Sequence, residues 1–162
     1  MRNVNEQTLR NLERSLHAEI PLTQAMGVVV AHYDQHGLTL RAPLEPNLNH
    51  KKTAFGGSLN SLATLACWGL AQLLVRDLNV PVTVVIQESH VQYLKPVEQN
   101  IEATCHVPPA AMLDRFLRTL VRHGRARIEL EATIQTGSET AVRFHGLFVA
   151  YDKARFAYVQ PM

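Results

Sequence analysis

The sequence predicts an α+β fold in which an antiparallel β-sheet wraps around one long apolar helix. One stretch of helical length, residues 53–75, carries no charge, which is typical of a helix buried on every side. The flanking segments alternate apolar and polar residues with the period of two expected of half-buried strands. No repeat or linker interrupts the chain, so we expect residues 1–162 to form a single domain.

Three further helical segments are expected beside the apolar helix. Residues 6–19 repeat leucines at helical spacing against a polar remainder. Residues 110–123 carry a broader apolar stripe, and Gly124 is placed to end that helix. A short helical turn is expected over residues 21–26, and the apolar helix itself over residues 57–77.

Alternating segments predict six strands and one irregularity. The predicted strands cover residues 28–33, 38–43, 82–94, 101–107, 125–135 and 140–151. Between residues 82 and 94 the alternation changes phase, which indicates a bulge or a swap of the buried face near Ser89. That run would leave a long apolar edge unpaired in a monomer, so we expect a homodimer or homotetramer.

Composition and charge argue against several functions. A net charge of +2, with scattered Lys and Arg, does not favour nucleic-acid binding, and the histidines show no metal-ligand spacing. The apolar helix is long enough for a bilayer, but its polar and glycine-rich first half favours burial in protein. Cys67 and Cys105 stand apart among apolar neighbours, and charges interrupt the first twenty residues. We therefore expect no signal peptide, no metal, no cofactor, buried reduced thiols and a cytoplasmic protein.

The glycine pair Gly56-Gly57 opens the apolar helix. The first N–H groups of a helix have no partner inside it, and glycine lets a ligand carbonyl approach the backbone closely. The helix dipole also favours negative charge there, so Gly57 N–H is a candidate donor to an oxyanion. We expect Phe55, Gly56, Ser58 and Ser61 to contact the substrate. The alternative is that the two glycines only make a tight turn into the helix.

Residues 48–63 resemble the active-site segment of hotdog-fold thioesterases of the phenylacetate-pathway type, in which an asparagine precedes His-Gly-Gly by six positions. Asn49, residues 55–58 and residues 86–89 resemble more closely the thioesterase family found as the C-terminal domain of YiiD-type bacterial proteins. The resemblance implies a hotdog fold and dimerisation through the strand after the central helix. It also implies an acyl-CoA or acyl-carrier thioester as substrate, with coenzyme A present only as part of that substrate.

Two positions depart from the phenylacetate-type pattern, because its histidine is Phe55 here and its helix aspartate is Thr64. Other groups must then assist hydrolysis. Glu88, which the resemblance places near the partner's helix start, is a candidate base, and Asn49 can orient the thioester or water. His50 is a second candidate base, and Thr64 can hold a water. The structural alternatives are an exposed Glu, a loop Asn, a solvated His and a packing Thr.

Three functions remain open from the sequence. The first is a thioesterase. The second is a hotdog dehydratase or hydratase, for which His50 or His90 would have to face Glu88. The third is a non-catalytic acyl-thioester binding domain, which the replacements at Phe55 and Thr64 make credible.

Arginines cluster on the helix predicted over residues 110–123 and on the strand that follows it. Arg115, Arg118 and Arg122 share a face of that helix, and Arg125 and Arg127 follow it on a strand. They can contact the phosphates of coenzyme A. The alternative is a solvated polar face.

Overall fold

The structure is a computed structural model that describes residues 6–156. Residues 1–5 and 157–162, the two ends of the predicted domain, lie outside the described residues. The helices are α1 (Glu6–Glu19), α2 (Leu22–Met26), α3 (Gly56–Val75) and α4 (Ala110–His123). The strands are β1 (Val29–Tyr33), β2 (Gly37–Ala42), β3 (Val82–Tyr93), β4 (Ile101–His106), β5 (Arg125–Thr136) and β6 (Glu139–Asp152). All predicted elements are present, with ends shifted by no more than two residues.

The six strands form one sheet in the order β1-β2-β4-β5-β6-β3, and every neighbouring pair is antiparallel. Helix α3 packs against strands from β2 to β6. This is the hotdog fold, as predicted. We call the sheet face that covers α3 the inner face and the opposite one the outer face.

Helix α3 supplies the centre of the core because nearly all of its sides are apolar. Leu62, Ala66 and Leu70 are fully buried, and they pack with inner-face residues such as Phe144 and Phe148. By length and composition α3 is apolar enough to cross a membrane, but 67% of that segment is buried inside the protein. The interpretation of α3 as a core helix therefore agrees with its packing.

Both cysteines are buried and free, as predicted. Burial, followed by the nearby thiol of Cys105, raises the pKa of the Cys67 thiol. A raised pKa and burial both disfavour a nucleophilic role for Cys67.

The predicted irregularity in β3 is a bulge at Gln87. Ile86 lies opposite Phe148 of β6, whereas Glu88 lies opposite Leu147, so Gln87 is the extra residue. Directly opposite residues of an antiparallel pair share a face, and neighbours along a strand alternate. Since Phe148 faces inward, Glu88 lies on the outer face, while Ile86 keeps the inner one.

Strand β3 is an edge of the sheet, and two side-chain bonds fasten it to α3. The Trp68 indole N–H donates to the Val84 carbonyl at 2.9 Å, and the Tyr93 hydroxyl donates to the Gly56 carbonyl at 3.0 Å. The start of β3 therefore lies beside the second half of α3, and its end lies beside the first residues of α3.

Candidate active site

Asn49 organises the loop that leads into α3. Its side-chain Oδ1 accepts from the N–H groups of Lys51 at 2.8 Å and Thr53 at 3.3 Å. Its Nδ2 donates to Thr53 Oγ1 at 2.8 Å and to the Ala54 carbonyl at 3.3 Å. The loop ends are joined by a bridge between Leu48 and Ala54. Both polar atoms of the Asn49 amide thus form hydrogen bonds within the loop, so this side chain is suited to hold the loop in its conformation.

The first turn of α3 begins without a side-chain cap. Phe55 stands at the N-cap position with extended backbone, and its N–H donates to the Asn47 carbonyl at 2.7 Å. The first helical bond runs from the Leu59 N–H to the Phe55 carbonyl at 3.0 Å. Across residues 6–156, the N–H groups of Gly56, Gly57 and Ser58 donate to no protein acceptor. Three donors and the positive end of a buried helix therefore converge at one point.

Two aromatic rings flank these donors. A β-carbon on Gly57 would collide with the ring of Phe55, so only glycine fits without moving that ring. A β-carbon on Gly56 would lie 3.5 Å from the ring of Tyr93. Phe55 is 56% exposed and Tyr93 is 52% exposed, so both rings stand at the protein surface. The sequence patterns do not identify Tyr93 as a site residue.

Polar side chains continue from the glycines along one side of α3. Ser58, Ser61 and Thr64 are half-buried, unlike the fully buried residues on the opposite side of the helix. Asn60, one turn before Thr64, has a buried Oδ1 that no donor reaches within the described part of the chain. A buried acceptor of this kind needs a donor such as an ordered water. The sequence patterns did not single out Asn60.

The structure places both predicted bases at exposed positions. His50 is exposed at the turn of the loop. Glu88 is exposed on the outer face, on the opposite side of the sheet from α3. His90 lies opposite His145 on the same outer face. The catalytic roles of Glu88 and His50 stay predictions, and within one chain the sheet separates Glu88 from the N–H groups at the start of α3.

No cluster of three His, Cys, Asp or Glu side chains suited to a metal ion occurs between residues 6 and 156. The groups described above at the start of α3 are backbone N–H donors, hydroxyl groups and the Asn60 amide.

Comparison with known proteins places the chain in one family. The sequence profile of the family described as "Putative thioesterase (yiiD_Cterm)" matches residues 9–152. A crystal structure of a protein of unknown function from Chlorobaculum tepidum is 36% identical, with a TM-score of 0.85 over 91% of this chain and 96% of that chain. A crystal structure described as a putative thioesterase from Shewanella oneidensis is 28% identical, with a TM-score of 0.81 over 91% of this chain and 99% of that chain.

A more distant structure shares only the fold. A thioesterase from Haemophilus influenzae is 14% identical, with a TM-score of 0.69 over 89% of this chain and 90% of that chain.

Proposed function

The chain belongs to the family of YiiD C-terminal putative thioesterases, and from this we propose that it hydrolyses an acyl thioester at the start of α3. The observation that carries the proposal is the uncapped start of α3, where the N–H groups of Gly56, Gly57 and Ser58 have no protein acceptor between residues 6 and 156. Acyl transfer from a thioester passes through a tetrahedral oxyanion, and converging backbone donors stabilise that species.

In this mechanism the thioester carbonyl oxygen accepts from the Gly57 N–H, assisted by the helix dipole. Water adds to the carbonyl carbon, the carbon–sulfur bond breaks, and the departing thiolate takes one proton of the water, which leaves a carboxylic acid and a free thiol. The side chains of Asn60 and Thr64 hold that water, because both belong to the polar side of α3 that follows Gly57. Phe55 and Tyr93 supply apolar surface for the acyl group.

We further propose a homodimer or homotetramer in the cytoplasm. Strand β3 ends the sheet, and exposed Ile86 and Tyr93 lie along it. An apolar edge strand of twelve residues is a template for pairing with a second copy. Sedimentation at micromolar concentration is expected to show no monomer, and a monomer at that concentration would contradict a shared sheet.

The test is hydrolysis of a panel of acyl-CoA chain lengths by the purified protein, followed by thiol release. Turnover of at least one substrate is expected. Binding without turnover would instead favour the acyl-binding domain. Hydration of an enoyl-thioester without hydrolysis would favour the hydratase, although the outward position of Glu88 and His90 does not support a His–acid pair facing α3.

Glu88→Gln tests the predicted general base. Loss of a base that acts on water lowers kcat by about 10²- to 10⁴-fold. Because Glu88 lies on the outer face, we expect kcat of the folded variant to stay within about threefold of the wild type, far below the loss of a base. A loss of 10²-fold or more in kcat would show that the Glu88 carboxylate acts on the thioester bound to another copy. The kcat of His50→Gln is compared in the same assay, because His50 is the second predicted base.

A further inference from the structure

A second concave surface, which we call the arginine groove, lies between α4 and strands β5 and β6. It is open to solvent and has a volume of about 700 Å³. Phe116 and Ile128 line it and are almost fully buried, and the more exposed Met112 adds apolar surface. Arg115, Arg125 and Arg127 line the same groove. This volume is typical of sites that bind small molecules.

The three groove arginines carry charges that no carboxylate between residues 6 and 156 pairs with. Arg115 and Arg125 form no ion pair or side-chain hydrogen bond with residues 6–156, and Arg127 donates to the neutral Gln87 Oε1 at 3.0 Å. Among the described residues of the lining the one carboxylate is that of Glu129, which contacts His145 at 3.4 Å instead. Converging unpaired guanidinium groups are suited to bidentate binding of phosphate.

Other arginines of the chain differ in this respect. Arg118, also on α4, pairs with Asp114 at 2.8 Å, and Arg41 pairs with Glu102 at 2.8 Å. The arginines predicted to share one face of α4 therefore differ in position, because Arg115 lines the groove and Arg118 does not. Arg122 is not part of the groove lining either.

Arg125 and Arg127 project from the outer face of β5, and in the proposed dimer this part of the sheet would lie close to the edge strand of the second copy. Arg127 of β5 lies opposite Val149 of β6, and Val149 lies opposite Val85 in the first half of the edge strand β3. Antiparallel pairing of two β3 strands would bring the start of one beside the end of the other. The end of β3 is the part that touches the first turn of α3 through Tyr93.

We propose that the arginine groove binds the 3′-phosphorylated ADP portion of coenzyme A, so that the substrate is an acyl-CoA. The arginines contact the phosphates, and the apolar floor at Phe116 and Met112 accommodates the adenine. This inference rests on the proposed thioesterase function. It adds the carrier of the acyl group, which the site at α3 does not define.

The test compares one acyl group on coenzyme A and on N-acetylcysteamine, which has no nucleotide. In the triple variant Arg115→Gln, Arg125→Gln, Arg127→Gln, KM for the acyl-CoA is expected to rise at least tenfold, since bonds to charged groups are lost. The kcat for acyl-CoA and the kcat/KM for the N-acetylcysteamine thioester are expected to stay within about twofold. Calorimetric binding of adenosine 3′,5′-bisphosphate is expected to disappear.

A charge-matched control uses arginines that form exposed ion pairs elsewhere. This control variant carries Arg10→Gln, Arg41→Gln and Arg118→Gln. It loses the same number of positive charges but leaves the groove arginines in place. Its KM for acyl-CoA is expected to stay near that of the wild type. An equal rise in both triple variants would overturn the proposal, because net charge alone would then explain the effect.

Two other results separate this proposal from the proposed function. Nucleotide binding in the groove would be wrong if the groove variant lost activity equally on both thioesters. It would also be wrong if the wild type preferred an acyl-carrier protein to acyl-CoA and the groove variant lost activity on that carrier protein. If the wild type hydrolysed no thioester yet bound adenosine 3′,5′-bisphosphate through the groove arginines, the hydrolase proposal would fail and the nucleotide site would stand.

Discussion

Gly57→Pro is expected to lower kcat for thioester hydrolysis by about 10²- to 10³-fold, the usual cost of losing one oxyanion donor. Proline removes the N–H of residue 57 and nothing else that the helix uses, because the first-turn N–H groups have no intrahelical partner. Gly57 lies in the first turn of α3, where the backbone tolerates proline, and the proline ring displaces the exposed ring of Phe55 as any β-carbon would. Circular dichroism and sizing should therefore match the wild type, and steady-state kinetics measures the loss.

Gly57→Ala is the matched control, because it adds a β-carbon but keeps the N–H. Its β-carbon displaces the exposed ring of Phe55, so a loss of less than about tenfold in kcat is expected. The pair can be repeated with Phe55→Ala, where the ring no longer interferes. Equal kcat for the proline and alanine variants in that background would show that the Gly57 N–H does not stabilise the transition state.

The fold could be predicted because its signals are local. The uncharged stretch of α3, the leucine spacing of α1 and the alternation of β5 each depend on residues close in the chain. The change of phase in β3 was visible as well. The face on which Glu88 lies was not, because it depends on which residue is the extra one. With Gln87 in that place Glu88 turns outward, whereas an irregularity after Ser89 would have kept it on the face of Ile86.

The candidate site was only partly predictable because its contacts join distant segments. The sequence identified Gly57 through the special properties of a helix start. It did not reveal that Tyr93, on another element, contacts Gly56, or that the Asn60 Oδ1 is buried without a donor. The division between Arg115 and Arg118 likewise depends on how α4 lies on the sheet, which helical spacing alone does not define.

Asn49→Ala is expected to lower kcat by about 10²-fold. The loop that leads to Phe55 and the first turn of α3 loses the hydrogen bonds that hold its conformation. The variant loses four hydrogen bonds, two from each end of the amide. A displacement of a catalytic donor by about 1 Å is enough for such a loss. Sizing and thermal unfolding establish that the variant is folded before kcat and KM are compared.

Asn49→Asp distinguishes positioning from direct contact with the substrate. Aspartate keeps both acceptor bonds to the N–H groups of Lys51 and Thr53, and the Thr53 hydroxyl can reverse and donate to the new carboxylate. If Asn49 acts through the loop, Asn49→Asp should keep kcat within about tenfold of the wild type and recover most of the loss in Asn49→Ala. An amide that donates to the thioester carbonyl cannot be replaced in this way, because a carboxylate has no N–H and repels the oxyanion. Equal loss in Asn49→Asp and Asn49→Ala would therefore contradict the positioning role and support the contact first inferred from the sequence.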